Sequence, residues 1–409
     1  MRHRTLLKLL LPLLIVGLLA ASCGDDDSSA DETNATTPVA TAGGEPLVIG
    51  AAIGETGFIS QFDIPPMNTA LLAIDDLNAK GGLDGRQIEV VTFDHQSEVD
   101  QVGNAAIKAL DAGAEMLVVS CDFDLGGPAA AEAQKRGVLA FSLCAGSPKM
   151  GPQGIGPLAY TVGTCGCSHG AVTAEFGYEE LKLRTAYILT DPLLEYHQQM
   201  VAAFKSRWDQ LGGELVGEDT YQPQDPSISA QITRIKQLDT PPDFIFLADF
   251  LPSVGTALRQ LRAAGLDMPI LSGGENFDGE SWKESVPNVS DVYFSTLTSV
   301  FGDDPSADVN AMYERYQTKF GEAPPSGLAA AGYTMMEAWS HAVTEAGTTD
   351  AEPVAAELDQ LTDFPTLVGP LTFTPDLHIV YKRETRIMKI ENGKTEFVML
   401  WTPSEVLTP

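Results

Sequence analysis

From Pro46 onward, apolar positions follow two periods in turn. Residues 47–53 form a near-continuous apolar run, the mark of a strand covered on both faces. Met67, Ala70, Leu71, Ile74 and Leu77 follow at helical spacing and stop at Gly81-Gly82. A strand at 88–93, a helix at 99–112 ended by Gly113, a strand at 116–119, a helix at 128–136 and a strand at 138–141 continue the alternation. A Gly-, Pro- and Cys-rich loop around 151–168 interrupts it. The pattern then restarts with helix 171–181, strand 186–189, helix 196–211, strand 214–218, helix 227–238, strand 244–247, helix 253–264 and strand 270–271. After a strand at 292–295 the chain becomes helical over 308–320, 327–346 and 351–361. Short strands follow Leu371, with Asn392-Gly393 as a hairpin turn. Two strand–helix series of domain size predict an α/β fold with two doubly wound parallel-sheet lobes. Ligands of such sheets bind outside the carboxyl ends of the strands. The cleft loops are therefore expected at 54–63, 94–98, 120–127 and 142–149 in one lobe, and at 190–197, 248–252 and 272–279 in the other.

The first 45 residues fit neither period. Arg2, Arg4 and Lys8 precede an apolar run at 9–19, too short to span a bilayer comfortably and typical of a secretory signal. Ala20-Ala21-Ser22-Cys23 resembles the bacterial lipobox, with Ala20 where leucine is usual. The resemblance implies a signal peptide at 1–22 and a diacylglyceryl thioether on Cys23. Residues 23–45 carry no aromatic side chain and almost no large apolar one, so they are expected to be a disordered, lipid-anchored tether. No later stretch is apolar enough to span, and the anchor is the expected link to the membrane.

Charge and cysteine usage narrow the partners. Lys and Arg number 25 against 56 Asp and Glu, a net charge of −31. Losing Arg2, Arg4 and Lys8 with the signal deepens it by three units. Such a surface argues against nucleic acid and against docking on anionic lipid. Besides Cys23 there are Cys121, Cys144, Cys165 and Cys167, an even number in an oxidising compartment. Two disulfides are expected, in any of three connectivities. Cys165-Gly-Cys167-Ser-His169 lacks the spacing of a structural zinc site, so no metal is expected. No nucleophile elbow, zincin helix, phosphate loop or dinucleotide glycine pattern occurs, and the six histidines are scattered. No enzyme activity and no cofactor are expected.

Several segments together resemble the branched-chain amino acid binding proteins of ABC importers, which have the type I periplasmic binding fold. Val48-Ile49-Gly50 opens the first strand and Glu55-Thr56-Gly57 lies in its loop. The Asn-x-x-Gly-Gly-x-x-Gly-Arg pattern of Asn78–Arg86, before a β run and Asp94, is the most specific part. Leu367–Phe373 is similar to the family's closing segment. The resemblance implies three crossings between the lobes, with one lobe at 46–164 plus 297–368 and the other at 165–296 plus 369–409. It also implies hinge closure on a ligand and a permease partner, and a monomer is expected.

It further implies site residues. In the family the first lobe holds the ligand carboxylate with hydroxyls and backbone N–H groups, and Ala145, Gly146 and Ser147 match one such loop. The other loop reads Asp122-Phe123-Asp124 where a hydroxyl is usual. Two acids there repel a carboxylate and admit a positive group, unless they face solvent or cap the next helix. Glu275 matches the acid that pairs with the ligand ammonium. Tyr196 matches an aromatic against the ligand, and Phe62 and Phe250 stand where tyrosines are usual. The function expected is extracytoplasmic capture of a small polar ligand, an amino acid or a related amine or amide, for an importer. The same fold also serves sensing modules that signal to a membrane partner.

Overall fold

A computed structural model describes residues 44–274, 277–278, 282–283 and 286–407. Cys23, the signal and nearly all of the tether lie outside the described residues, and so does Glu275. In chain order the first strands and helices are β1 (Leu47–Ile53), α1 (Ser60–Ala79), β2 (Ile88–Asp94), α2 (Val99–Asp111), β3 (Met116–Val119), α3 (Phe123–Lys135), β4 (Leu139–Ser142) and β5 (Ala159–Thr161). They form one parallel sheet in the order β2-β1-β3-β4-β5. The second series runs α4 (Gly166–Glu175), β6 (Thr185–Thr190), α5 (Glu195–Leu211), β7 (Glu214–Thr220), α6 (Ser229–Lys236), β8 (Phe244–Ala248), α7 (Ser253–Ala263), β9 (Ile270–Ser272) and β10 (Val292–Thr296). Next come α8 (Ala307–Phe320), α9 (Ala330–Ala346), α10 (Ala351–Leu358), the short pair β11 (Phe364–Thr366) and β12 (Gly369–Leu371), and the hairpin β13 (Thr385–Glu391) and β14 (Lys394–Trp401). The second sheet has the order β14-β13-β10-β9-β8-β6-β7, parallel except for its last hairpin.

The apolar run of β1 resolves into a two-residue alternation. Leu47, Ile49, Ala51 and Ile53 face a core shared with α1 and α8–α10, through Met67, Val309, Trp339 and Val354. Ala52 faces the other core, with Val102 of α2 and Ala129 of α3. A Cβ at Gly50 would lie 2.8 Å from Ala114 Cβ, so α2 and the turn after it seat against bare backbone there. The second sheet is covered in the same way. Ile245, Leu247 and Tyr187 pack on α7 through Val254 and Leu258, while Phe244, Phe246 and Ile188 pack on α4 and α5 through Val172, Phe204 and Trp208. Both sheets are therefore doubly wound, and the fold is the two-lobed α/β type that the sequence pattern predicts.

The chain passes between the lobes three times: after β5, after β10, and before β13. The passages are tied together. Thr164 pairs with Val380, and the Cys165 N–H donates to Val380 O at 3.0 Å. Buried Asp278 accepts from Thr296 Oγ1 at 2.8 Å and from the Gly327 N–H at 2.7 Å. Among the described residues no helix is long and apolar enough to cross a membrane.

Several elements differ from expectation. Helix α1 begins at Ser60 rather than near Met67, although Pro65 and Pro66 lie inside it. Their fixed φ suits a helix. The first turn is held from outside, because buried Asp63 accepts from the Gly54 and Cys121 N–H groups (2.8 and 2.7 Å). Helix α3 begins at Phe123 rather than at Pro128, since the Asp122 carboxylate caps it by accepting from the Asp124 N–H at 2.8 Å. The 151–168 loop contains the edge strand β5, too short to show a period. Helix 171–181 instead starts at Gly166 and ends in a π turn at Phe176–Glu180.

Candidate ligand-binding cleft

The carboxyl ends of both sheets converge on one cavity. It encloses about 80 Å³ reachable by the centre of a water molecule, roughly the room for several waters or one small organic molecule. Phe58 and Phe62 reach it from the β1 loop and α1, Asp122 from the β3 loop, and Gly146 from the β4 loop. Tyr196 and His197 come from the first turn of α5, and Phe250 from the β8 loop. Thr164 and Leu297 come from the segments after β5 and β10, His169 from the first turn of α4, and Leu328 from the turn before α9.

The sequence-derived candidates separate into two groups. Phe62, Asp122, Gly146, Tyr196 and Phe250 line the cavity. Ala145 is buried beside it, with its N–H already donated to Ser142 Oγ at 3.0 Å. Ser147 is buried as well, but its hydroxyl meets Glu195 Oε1 at 3.3 Å across the rim. Phe123 is half-buried under the Lys149 ammonium, 5.9 Å from its ring centre. Asp124 is exposed and accepts from the Glu195 N–H at 3.4 Å.

Several wall residues were not among the candidates: Thr164, just after β5; His169, in the first turn of α4 and weighed above only beside a cysteine pair; Leu297, just after β10; and Leu328, in the turn before α9. His197, next to Tyr196, reads as an exposed helix residue by pattern. It is buried, stacked on Phe250 at 5.5 Å, with Nδ1 4.0 Å from Asp191 Oδ2. Its place beside a cleft aromatic was the one available hint.

The lobes touch over the cavity. Phe62 and Phe250 meet edge to face at 6.2 Å, and Gln61 Nε2 donates to Leu251 O at 3.4 Å. Lys149 and Glu195 pair at 3.0 Å. The Tyr196 ring lies on Gly146, where a Cβ would come within 2.6 Å of its ring carbons. These contacts describe a closed cleft.

Charge in the cavity is one-sided. Among the described residues no lysine or arginine lines it. Burial, followed by the neighbouring Asp124 carboxylate, pushes Asp122 up to about 7. Buried Asp63 is pushed up to about 6, chiefly by burial against the pull of its hydrogen bonds. His169 donates or accepts at Nδ1 with Ser295 Oγ (2.8 Å), and burial and then Arg383 hold it down to about 3, so it is neutral. Beneath the first wall the Ser97 N–H donates to His95 Nδ1, His95 Nε2 meets Ser120 Oγ at 2.7 Å, and Ser120 donates to Asp63. The serine proton goes to the carboxylate rather than to the imidazole. This trio is a buried brace and not an activated nucleophile. The cysteines pair as Cys121–Cys144, in the cavity wall, and Cys165–Cys167, at the start of α4.

The family model of the periplasmic binding proteins matches residues 46–395. The chain belongs to the periplasmic binding protein family. A leucine-, isoleucine-, valine-, threonine- and alanine-binding protein of Pseudomonas aeruginosa is 26% identical over 319 residues, covering 78% of this chain and 83% of that relative. The substrate-binding protein LivJ of Streptococcus pneumoniae, solved with isoleucine, superposes with a TM-score of 0.77 at 25% identity, over 88% of this chain and 100% of LivJ. A Rhodopseudomonas palustris solute-binding protein solved with 3,4-dihydroxybenzoic acid shares the fold, with a TM-score of 0.73 at 18% identity over 89% and 98% of the two chains. The resemblance to branched-chain amino acid binding proteins thus extends over the folded body. As in those periplasmic binding proteins, the work of this chain is binding and not catalysis.

Proposed function

We propose that this periplasmic binding protein captures a small ligand outside the cytoplasmic membrane and delivers it to an ABC permease, held near that membrane by a lipid on Cys23. The ligand is an amino acid or a related amine or amide. The observation that carries this reading is a cavity walled by both lobes at once, with Phe62, Asp122 and Gly146 on one side and Tyr196, His197 and Phe250 on the other. A ligand there contacts both walls only when the cleft is shut, so its binding energy favours the closed state. A closed body presents one composite face to a permease, whereas an open one does not. The apolar walls, with few polar groups, suit a compact ligand with one or two polar ends.

The test is a thermal-shift screen on protein refolded to strip carried ligand, with branched-chain and other amino acids, amides, amines and aromatic acids. A ligand at 100 times its Kd adds about 2.7 kcal/mol and raises Tm by several degrees. Hits are then checked for closure by small-angle scattering. A panel without a single hit on folded protein sinks the proposal. Labelling of cells with radioactive palmitate, lost on Cys23→Ser, tests the anchor.

A further inference from the structure

Asp122 does two jobs from one position. Its Oδ1 accepts the Asp124 N–H and caps α3, while the residue itself lines the cavity and is only 8% exposed. Around it the cavity supplies phenyl and phenol faces from Phe58, Phe62, Tyr196 and Phe250, and no fixed positive charge among the described residues. A buried carboxylate in such a place is costly until a cation meets it. A second group points to a ligand independently. Thr164 lines the same cavity and is 7% exposed, and its hydroxyl has no hydrogen-bond partner among the described residues. A buried hydroxyl without a partner is costly, and a polar ligand atom relieves that cost.

We propose, on the binding-protein reading above, that the ligand presents an ammonium group to Asp122 and carries a compact apolar body, with no carboxylate at that end. Aromatic faces around an ammonium add cation–π attraction. A carboxylate placed there meets Asp122 head-on, with Asp124 and Asp63 behind it, and among the described residues no buried cation in the wall separates them.

The two ligand charges have opposite proton linkage. Among the described residues the titratable groups around Asp122 are Asp124 on its own helix, Asp63 of α1, and Tyr196, His169 and His197 across the cavity. Lys149 and Glu195 stand at the rim, paired with each other. Near pH 7 Asp122 is partly protonated. An ammonium favours the ionised form, so binding releases protons and tightens as pH rises through 7. A carboxylate favours the protonated form, so binding takes protons up and weakens over the same range.

The experiment is isothermal titration calorimetry of the purified, refolded protein in detergent, in buffers of different ionisation enthalpy. The probes are 3-methylbutylamine and leucine, which share an apolar body and an amine and differ by the carboxylate. The amine is expected to bind at least tenfold more tightly, with proton release. Asp122→Asn keeps the helix cap and is expected to cut amine affinity at least 30-fold while leaving leucine no weaker. Asp124→Asn, outside the cavity, is expected to change amine affinity less than threefold. Tighter binding of leucine with proton uptake and closure overturns the inference and leaves the binding-protein reading standing. Failure of both probes to bind overturns the inference too, and the wider screen then decides the reading separately. If Asp122→Asn does not fold, the affinity ratio and the sign of proton release in the native protein still decide.

Discussion

The two walls of the cleft are built from different materials. The first-lobe wall carries the lining carboxylate among the described residues, Asp122, beside Gly146, the Cys121–Cys144 pair and the rings of Phe58 and Phe62, braced from below by Asp63, Ser120 and His95. The second-lobe wall is ring-lined, with Tyr196 tilted against His197 and His197 stacked on Phe250. One wall can set the charge of a ligand through a single carboxylate. The other can enclose an apolar body through area, with little demand on direction. Division of labour of this kind places charge selection and closure on opposite lobes, so substitutions on the two walls should fail in different ways.

The sharpest break is at Gly146. A β-branched side chain there meets the Tyr196 ring, since even a Cβ stands within 2.6 Å of it. Gly146→Val should hold the lobes apart, lower ligand affinity at least 100-fold and enlarge the radius of gyration in the presence of ligand, with Tm of the ligand-free protein little changed. Scattering that still reports closure would refute the packing argument.

The next effect is on stability and follows the buried acids. Asp63, Asp249 and Asp278 are pushed up to about 6, and Asp122 to about 7, each chiefly by burial. Their folded-state values lie above the ordinary 3.8. The folded protein therefore binds more protons than the unfolded chain between about pH 4 and 7. The stability they contribute is present at low pH and lost as pH rises through 6–7. Asp94 and Glu115 have the opposite shift and lose their contribution only below the ordinary carboxylate range. His169, held down to about 3 by burial, and His95 and His378, lowered chiefly by burial, oppose the acids below the ordinary histidine range. The acid contribution is therefore read by difference: Tm of Asp122→Asn should fall less between pH 5.5 and pH 8 than Tm of the native protein, and an equal fall would contradict this.

On the ring-lined wall, Phe250→Ala removes the partner of both Phe62 and His197. It should weaken ligand binding about tenfold, in keeping with roughly 1–2 kcal/mol for a buried ring contact, and leave any pH dependence of binding intact. Abolishing that dependence would move the charge sensor off Asp122. The smallest effect is at the rim. The Lys149 side chain is 54% exposed where it pairs with Glu195, and an exposed pair contributes about 1 kcal/mol or less. Lys149→Met should change Kd no more than a few-fold, and the change should vanish in 0.5 M salt.

The fold was largely legible because its signals are local. The Asn392-Gly393 turn appears with φ of 50° and 72° and pairs Glu391 with Lys394, as left-handed positions in a two-residue hairpin require. The start of α1 was illegible because Pro65-Pro66 reads as a stop. What overrides it is Asp63, bonded to backbone 58 residues away at Cys121. At the site, Phe62, Tyr196 and Phe250 were named from the family resemblance, and all three line the cavity. Thr164, His169, Leu297 and Leu328 were not named, because their neighbours in the cavity are far along the chain. The helix-cap and cleft roles of Asp122 read as alternatives in one dimension, and the structure lets one side chain hold both.

The sequence by itself determined the two α/β series, the cleft side of each sheet and the negative charge of the whole, since all three follow from periodicity and composition. Which cysteines pair, which of several loop residues meet, and that an acid, a buried hydroxyl and four aromatic rings share one small cavity were decided only by tertiary structure. Those relations depend on distances between segments that no local period encodes, and they exist only once both sheets have twisted, wound and closed on each other.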